Sequence, residues 1–377
     1  MKVIRSTTVP RSLGFFRNSV HGLKEMGAEQ IVLSSPGNSL DEFAAVHGLR
    51  GIGVPMERHI SPFKDLKSVW RLIRVFRKER PMMVHSMTPK AGLLCMLAAW
   101  ICRVPVRVHT FTGLVFPTST GLKRRILMVT DWLTCACATH VIPEGEGVKA
   151  DLLDHHITRK PIEVLGNGNV RGIDLEKFNP SDAGVREESQ KLRRTDCFTF
   201  IFVGRLVGDK GINELVDAFV RLNKEFPASR LLLVGKSEAD LDPLKPATVQ
   251  AIESNPAIEA VGQQKDVRPW LLASDAFVLP SYREGFPNVV IEAGAMGLPS
   301  IVTDINGSRE IIIEGRNGTV IPSHDADALY DAMYRFVTDP KYLEKLSSDA
   351  RDLIASRFDH RYVTQCLLDF YKQILLK

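Results

Sequence analysis

Ala276-Phe277-Val278-Leu279-Pro280-Ser281-Tyr282-Arg283-Glu284-Gly285-Phe286-Pro287-Asn288-Val289-Val290-Ile291-Glu292-Ala293 decides how this chain is read. An apolar run over 276–279 is long enough for one buried strand. The polar, Gly- and Pro-bearing segment after it reads as a tight loop. Val289 to Met296 is helix-compatible. Strand, loop and helix start in that order make one half of a parallel βαβ unit. Glu284 would stand in the loop at the carboxyl end of the strand, and Glu292 about a turn into the helix. A helix start offers free N–H groups and a positive dipole end, which suit a phosphate-bearing ligand. Two carboxylates beside it suit sugar or ribose hydroxyls.

The same pattern recurs outward along the chain. Apolar runs at 2–6, 31–34, 82–85, 106–110, 140–142 and 163–165 read as strands of a first half. Runs at 199–203, 230–234, 258–261, 276–279, 300–302 and 318–321 read as strands of a second. Helical patterns lie between most of them, which predicts doubly wound parallel sheets with helices on both faces. At 377 residues, two domains fit better than one. We expect a first domain over 1–178, a linker over 179–197 where the chain turns polar, and a second domain over 198–356. A C-terminal helix at about 357–377 is expected to pack back on the first domain.

Phe200-Ile201-Phe202-Val203-Gly204-Arg205-Leu206-Val207-Gly208-Asp209-Lys210-Gly211 opens the second half. A strand ends at Gly204, and Arg205 and Lys210 bracket the loop before the next helix. Two cations at a strand end beside a helix start make a diphosphate site. They would stabilise charge growing on a departing nucleoside diphosphate.

This G-R-L-x3-K-G pattern, with Arg205 79 positions before Glu284, and the glutamate pair together resemble the retaining glycosyltransferases of family 4. The resemblance implies an α/β GT-B fold of two Rossmann-like domains facing a cleft. It implies that Gly204, Arg205 and Lys210 hold a donor diphosphate and that Glu284 meets the donor sugar. The backbone of Gly285, Phe286, Pro287 and Asn288 would wrap sugar and phosphate, Glu292 would take the ribose, and the base would lie near Val261 and Gly262. Arg205, Lys210 and Glu284 are the expected catalytic groups. No metal or other cofactor is expected: Asp325-Ala326-Asp327 reads as a helix N-cap rather than a metal motif.

Thr88-Pro89-Lys90-Ala91-Gly92 resembles a segment of the CapM-like branch, which builds bacterial capsule and O-antigen. Lys90 is then an acceptor-phosphate contact, with Arg11, Ser12 and Thr112 as further acceptor-side residues. Thr112 stands where many relatives carry His or Asp. His109, three residues earlier, reads as a packed histidine, so no histidine base is assigned.

Residues 1–178 hold 25 Lys+Arg against 15 Asp+Glu, net +10; the rest hold 24 against 29, net −5. The basic half is expected to meet something anionic. Leu66, Val69, Trp70, Ile73 and Phe76 follow helical spacing beside Lys67, Arg71, Arg74 and Lys78. That pattern fits an ordinary crossover helix and also a helix resting on an anionic membrane. Lys123-Arg124-Arg125 adds a second basic cluster. Nucleic acid is not expected, because the basic residues lack interleaved aromatics. Six scattered cysteines without a C-x2-C pair fit a reducing cytosol rather than zinc or disulfides. The N-terminus lacks an apolar signal region, and the apolar run 91–102 is too short to span a bilayer.

The expected activity is retaining transfer of a sugar from a nucleotide donor, a UDP-sugar. The acceptor would be a polyprenyl-diphosphate-linked saccharide at the inner face of the plasma membrane. The alternatives are a nucleotide-sugar epimerase and a non-catalytic nucleotide-sugar-binding module on the same fold.

Overall fold

The computed structural model describes residues 1–57, 61–238 and 242–375. It divides into two compact units, Met1–Gly172 with His360–Lys377, and Ile173–Asp359.

In the first unit β1 (Lys2–Ser6), β2 (Glu29–Ser34), β3 (Arg50–Gly53), β4 (Met83–Met87), β5 (Val106–Phe111) and β6 (His140–Pro143) form one sheet. Its order is β3-β2-β1-β4-β5-β6 and every pairing is parallel. Side chains alternate across a strand. Accordingly Ile4 and Val84 join one apolar cluster while Val3 and Met83 join another. The first face is covered by α1 (Pro62–Glu79), α2 (Pro89–Ile101) and α3 (Gly121–Cys137), with α2 packed against both others.

The second unit holds β7 (Phe198–Val203), β8 (Ser229–Val234), β9 (Ile258–Gly262), β10 (Ala276–Leu279), β11 (Ser300–Thr303) and β12 (Gly318–Ile321). Their order is β12-β11-β10-β7-β8-β9, again all parallel. Helices α4 (Ala183–Leu192), α5 (Ile212–Glu225) and α6 (Asn288–Ala295) belong to it. The last helix, α7 (His360–Leu375), returns to the first unit. There it adds Leu367 and Tyr371 to the cluster around Val3, and the Tyr371 hydroxyl lies 2.6 Å from His85 Nδ1.

Several expectations change. The polar stretch 179–197 is not a linker. Asp182 caps α4 by accepting from the Val185 N–H at 2.9 Å, Val185 is buried, and Arg193 pairs with Asp275 at 2.5 Å. One apolar anchor and good capping suffice for a surface helix, and a low count of large apolar residues hides it. The second unit also starts earlier, at Ile173, whose N–H donates to Phe358 O at 2.8 Å. Residues 163–165 make no strand, lying between Pro161 and the positive-φ Gly166; β3, a short edge strand with two glycines, was not foreseen. On α1 the buried stripe is Val69, Leu72 and Phe76, whereas Leu66 and Trp70 stand exposed.

Candidate functional site

In a doubly wound sheet, the place where the strand order reverses leaves a crevice at the carboxyl ends of the two central strands. In the second unit that place lies between β7 and β10. β7 runs into Gly204 and Arg205. Gly235, after β8, has no room for a side chain, since a Cβ there would stand 1.7 Å from Gly204 O. A single 3-10 turn, Gly208–Lys210, leads to Gly211 at φ +69. A Cβ on Gly211 would meet Pro280 O at 2.0 Å, so only glycine lets the start of α5 seat against the end of β10.

That seating ties the two loops together. Asp209 O accepts from the Tyr282 N–H at 2.9 Å and from Ser281 Oγ at 3.3 Å. Lys210 Nζ reaches Glu284 Oε1 at 2.5 Å, with the two side chains 15% and 17% exposed. An ammonium carries three donors, so this contact leaves two for another acceptor. Arg205 is exposed and its Nη1 lies 3.1 Å from Glu238 Oε2. The Tyr282 hydroxyl donates to Glu214 at 2.5 Å, and its ring stacks on His324. Burial and that carboxylate raise the Tyr282 pKa, so the phenol stays protonated.

Beyond Glu284 the chain enters α6. Phe286 turns inward, edge-on to Phe358 with centroids 5.5 Å apart, and Pro287 is buried with it. The backbone of 285–288 therefore runs along the crevice side of a fixed loop. Gly307, at φ +75, locks this loop from the β11 side, because a Cβ there would lie 2.4 Å from Gly285 O. Glu292 sits in the second turn of α6, half-buried. Val261 and Gly262 close β9, at the sheet's edge; Gly262 O accepts from the Gly235 N–H at 2.9 Å. Gly204, Arg205, Lys210, Glu284 and Gly285 thus gather at one switch point, with Val261 and Gly262 two strands away. Sequence reasoning passed over Gly235, Asp209, Tyr282 and Gly307. Only Gly307 had a signal, the Asn306-Gly307 turn pair.

The first unit has its own switch point between β1 and β4. The Thr8 and Thr88 hydroxyls lie 2.7 Å apart, and Thr8 Oγ1 accepts from the Ala91 N–H at 3.1 Å, capping α2. Lys90 Nζ is 2.6 Å from Asp65 Oδ2 on α1, with both side chains mostly buried. Arg11 and Ser12 lie in the 3-10 segment Pro10–Ser19, Arg11 exposed, and half-buried Thr112 follows β5. His109 is packed: its Nδ1 is 2.9 Å from Ser86 Oγ and its ring is edge-on to Phe111. Burial pushes its pKa down to about 3, so it is neutral near pH 7. Asp325 caps the helix Ala326–Thr338 by accepting from the Ala328 N–H at 2.8 Å, and Asp327 pairs with Arg221.

Two parallel sheets, each doubly wound, with charged loops at the switch point of the second, are the architecture of the GT-B fold. The sequence agrees. Residues 185–353 match the family model "Glycosyl transferases group 1", and residues 15–168 match "Glycosyl transferase 4-like domain". The capsular polysaccharide biosynthesis glycosyltransferase CapM of Staphylococcus aureus is 30% identical over 99% of this chain and 97% of its own length. The UDP-Gal:alpha-D-GlcNAc-diphosphoundecaprenol alpha-1,3-galactosyltransferase of Escherichia coli is 32% identical over 80% of this chain and 78% of its own. HepE of Anabaena, solved with UDP and glucose, superposes with a TM-score of 0.82 at 18% identity, covering 99% of this chain and 100% of that one. The chain belongs to the group 1, family 4-like glycosyltransferases.

Proposed function

We propose that this glycosyltransferase moves a sugar from a UDP-sugar to a saccharide carried on a polyprenyl diphosphate, with retention at the anomeric carbon, in the assembly of a capsule or O-antigen polysaccharide. The observation that carries the reading is the Lys210–Glu284 pair at the β7/β10 switch point, with Arg205 beside it. A cation set and a carboxylate set within one hydrogen bond of each other suit a ligand that is anionic at one end and a polyol at the other. Arg205 and the two remaining donors of Lys210 bind the donor diphosphate. Glu284 accepts from sugar hydroxyls, and Glu292 from the ribose.

In the transfer step the acceptor hydroxyl attacks the anomeric carbon on the face the diphosphate leaves. The bond from that carbon to the phosphate oxygen breaks, and its electron pair stays on the phosphate. The hydroxyl proton passes to that same oxygen. Arg205 and Lys210 stabilise the charge that develops there. The protein supplies position and field rather than a base, consistent with a His109 that is buried and neutral. With two side-chain cations on the diphosphate, no metal enters this scheme.

The acceptor assignment is supported by the E. coli relative, a diphosphoundecaprenol galactosyltransferase, and by the basic first half. No helix among the described residues is long and apolar enough to cross a membrane. We place the enzyme on the cytoplasmic face, peripherally bound.

The test is a panel of nucleotide sugars with and without a lipid extract. Label appearing on lipid, with the anomeric configuration of the donor, supports the proposal. Free interconverted nucleotide sugar would indicate an epimerase. Donor binding without any turnover would indicate a binding module.

A further inference from the structure

Helices α1, α2 and α3 border a groove of about 900 Å³. One side is Leu66 and Val69 of α1, the floor is Leu93 and Leu97 of α2, and the other side is Ile126 and Leu127 of α3. Its polarity is graded along α2. Thr88 and Lys90 stand at the helix start, beside Thr8, and Leu93 and Leu97 follow one and two turns on. At 1.5 Å per residue, Lys90 to Leu97 spans about 10 Å.

The rim is unusual for a surface in water. Phe63 is 91% exposed and Leu122 73%, with Leu66 and Val129 also well exposed. Lys123 lines the groove with Lys90, and Lys67, Arg71, Arg74, Arg124 and Arg125 stand elsewhere on the same two helices. Helices α1 and α3 carry nine Lys and Arg residues and three acids. Of the acids, Asp65 lines the groove and is bonded to Lys90, whose ammonium keeps two further donors; Glu79 is bonded to Lys2 and Arg50, and Asp131 is buried, so Lys123 faces the groove with no acid of these helices paired to it. An apolar groove with Lys123 and Lys90 toward one end, on two helices rich in Lys and Arg, marks a binding surface for something apolar with an anionic group.

We infer that this groove holds the isoprenoid chain of the acceptor lipid, with its first units along Leu93 and Leu97 and its diphosphate toward Lys90 and Lys123. The inference rests on the lipid-linked acceptor proposed for this enzyme and deepens it, by assigning the tail a site. The graded polarity selects this occupant. A bilayer's acyl chains would find the apolar rim but have no use for a closed polar end at Thr8, Thr88 and Lys90.

The experiment measures binding, not turnover. Full-length protein is titrated with geranylgeranyl diphosphate, kept below its micelle concentration, and with isopentenyl diphosphate, which has the same head and one isoprene unit. The unsubstituted enzyme should bind the long chain at least about tenfold more tightly, since each buried methylene adds to affinity. Ile126→Asp puts a charge on the exposed rim, and Thr130→Trp fills the groove from a half-buried position. Each should remove most of that preference while UDP affinity and melting temperature stay unchanged. Equal affinity for the two diphosphates, or a preference that survives both substitutions, overturns the inference. So does binding to phosphatidylglycerol vesicles with no preference between the prenyl diphosphates, which would mean bilayer contact alone. Failure to transfer sugar to any prenyl-linked saccharide counts against the proposed function instead, and it is read in a separate assay.

Discussion

Replacing Lys210 with Ala is the most direct test of the donor site. The ammonium lies 2.5 Å from Glu284, and both side chains are less than a fifth exposed. The substitution removes a charged donor to the diphosphate, which contributes about 1.5–3 kcal/mol. It also leaves the Glu284 carboxylate uncompensated beside an incoming dianion or trianion. Breaking a well-buried ion pair costs about 3–5 kcal/mol, and the residual exposure of this pair lets water recover part of that. The two effects overlap, so the expected loss in kcat/KM is about 3–4 kcal/mol, or two to three orders of magnitude. Most of it should fall on kcat, because the charge Lys210 faces is largest as the diphosphate departs.

The assay is transfer to a lipid-linked acceptor, with UDP binding measured by calorimetry and folding by thermal melting. Glu284→Ala in the Lys210→Ala background separates two roles. If Lys210 served only to neutralise Glu284, the double variant would be as active as Glu284→Ala alone, which lacks only the sugar contact. Direct diphosphate contact predicts that the double variant falls at least about tenfold below Glu284→Ala. A Lys210→Ala enzyme within about threefold of the unsubstituted protein, or a double variant as active as Glu284→Ala, would refute the reasoning.

Three further outcomes follow from the geometry. Burial pushes the Asp131 carboxyl up to about 7 against about 3.9 in an unfolded chain. The folded state therefore holds an extra proton between those values. The associated stability is complete below pH 3.9 and is lost as pH rises through 7. Asp131→Asn should match the unsubstituted protein in melting temperature near pH 4 and exceed it at pH 8, by up to about 4 kcal/mol; equal advantage at both pH values would contradict this. Tyr371→Phe removes the hydroxyl 2.6 Å from buried His85 Nδ1, so unfolding in urea should show a loss of about 1–3 kcal/mol with donor affinity unchanged. Gly307→Ala drives a Cβ to within 2.4 Å of Gly285 O at a φ of +75. It should lower kcat/KM at least about tenfold through the displaced loop, and unchanged kinetics would show that the loop does not position the donor.

The strands were readable where burial on both faces forces apolar runs, as in Phe200-Ile201-Phe202-Val203. They were not readable where a short edge strand carries Arg50-Gly51-Ile52-Gly53, which has one large apolar residue. α4 was hidden for a related reason: its single apolar anchor, Val185, is a tertiary contact that composition does not weigh. The residues of the proposed donor site were legible as types at spacings. Their pairing was not, because Lys210 and Glu284 lie 74 positions apart and meet only through the β7/β10 neighbourship and the glycine at 211. Lys90 shows the limit from the other side. Its place at a helix start could be read, but not its bond to Asp65, which requires α1 to lie against α2.

The two switch points use one topology for different electrostatics. At β7/β10 the loops are joined by backbone hydrogen bonds through Asp209 O, which frees the side chains of Arg205, Lys210 and Glu284 to face a ligand. At β1/β4 the joining is done by side chains: Thr8 and Thr88 bond to each other, and Thr8 also caps α2. Hydroxyls spent on that joint do not carry charge, and Lys90 beside them is paired with Asp65. On the proposed reading, Arg205 and the two further donors of Lys210 take the donor diphosphate at these strand ends. In the first unit the uncompensated positive charge lies instead on the outer faces of α1 and α3, next to exposed apolar side chains. On that reading, a diphosphate lacking an apolar chain is held by Arg205 and Lys210 of the second unit. A diphosphate with a long apolar chain gains from the first unit what the second cannot offer. The same fold can thus sort a soluble donor from a lipid-borne acceptor, although each presents a diphosphate.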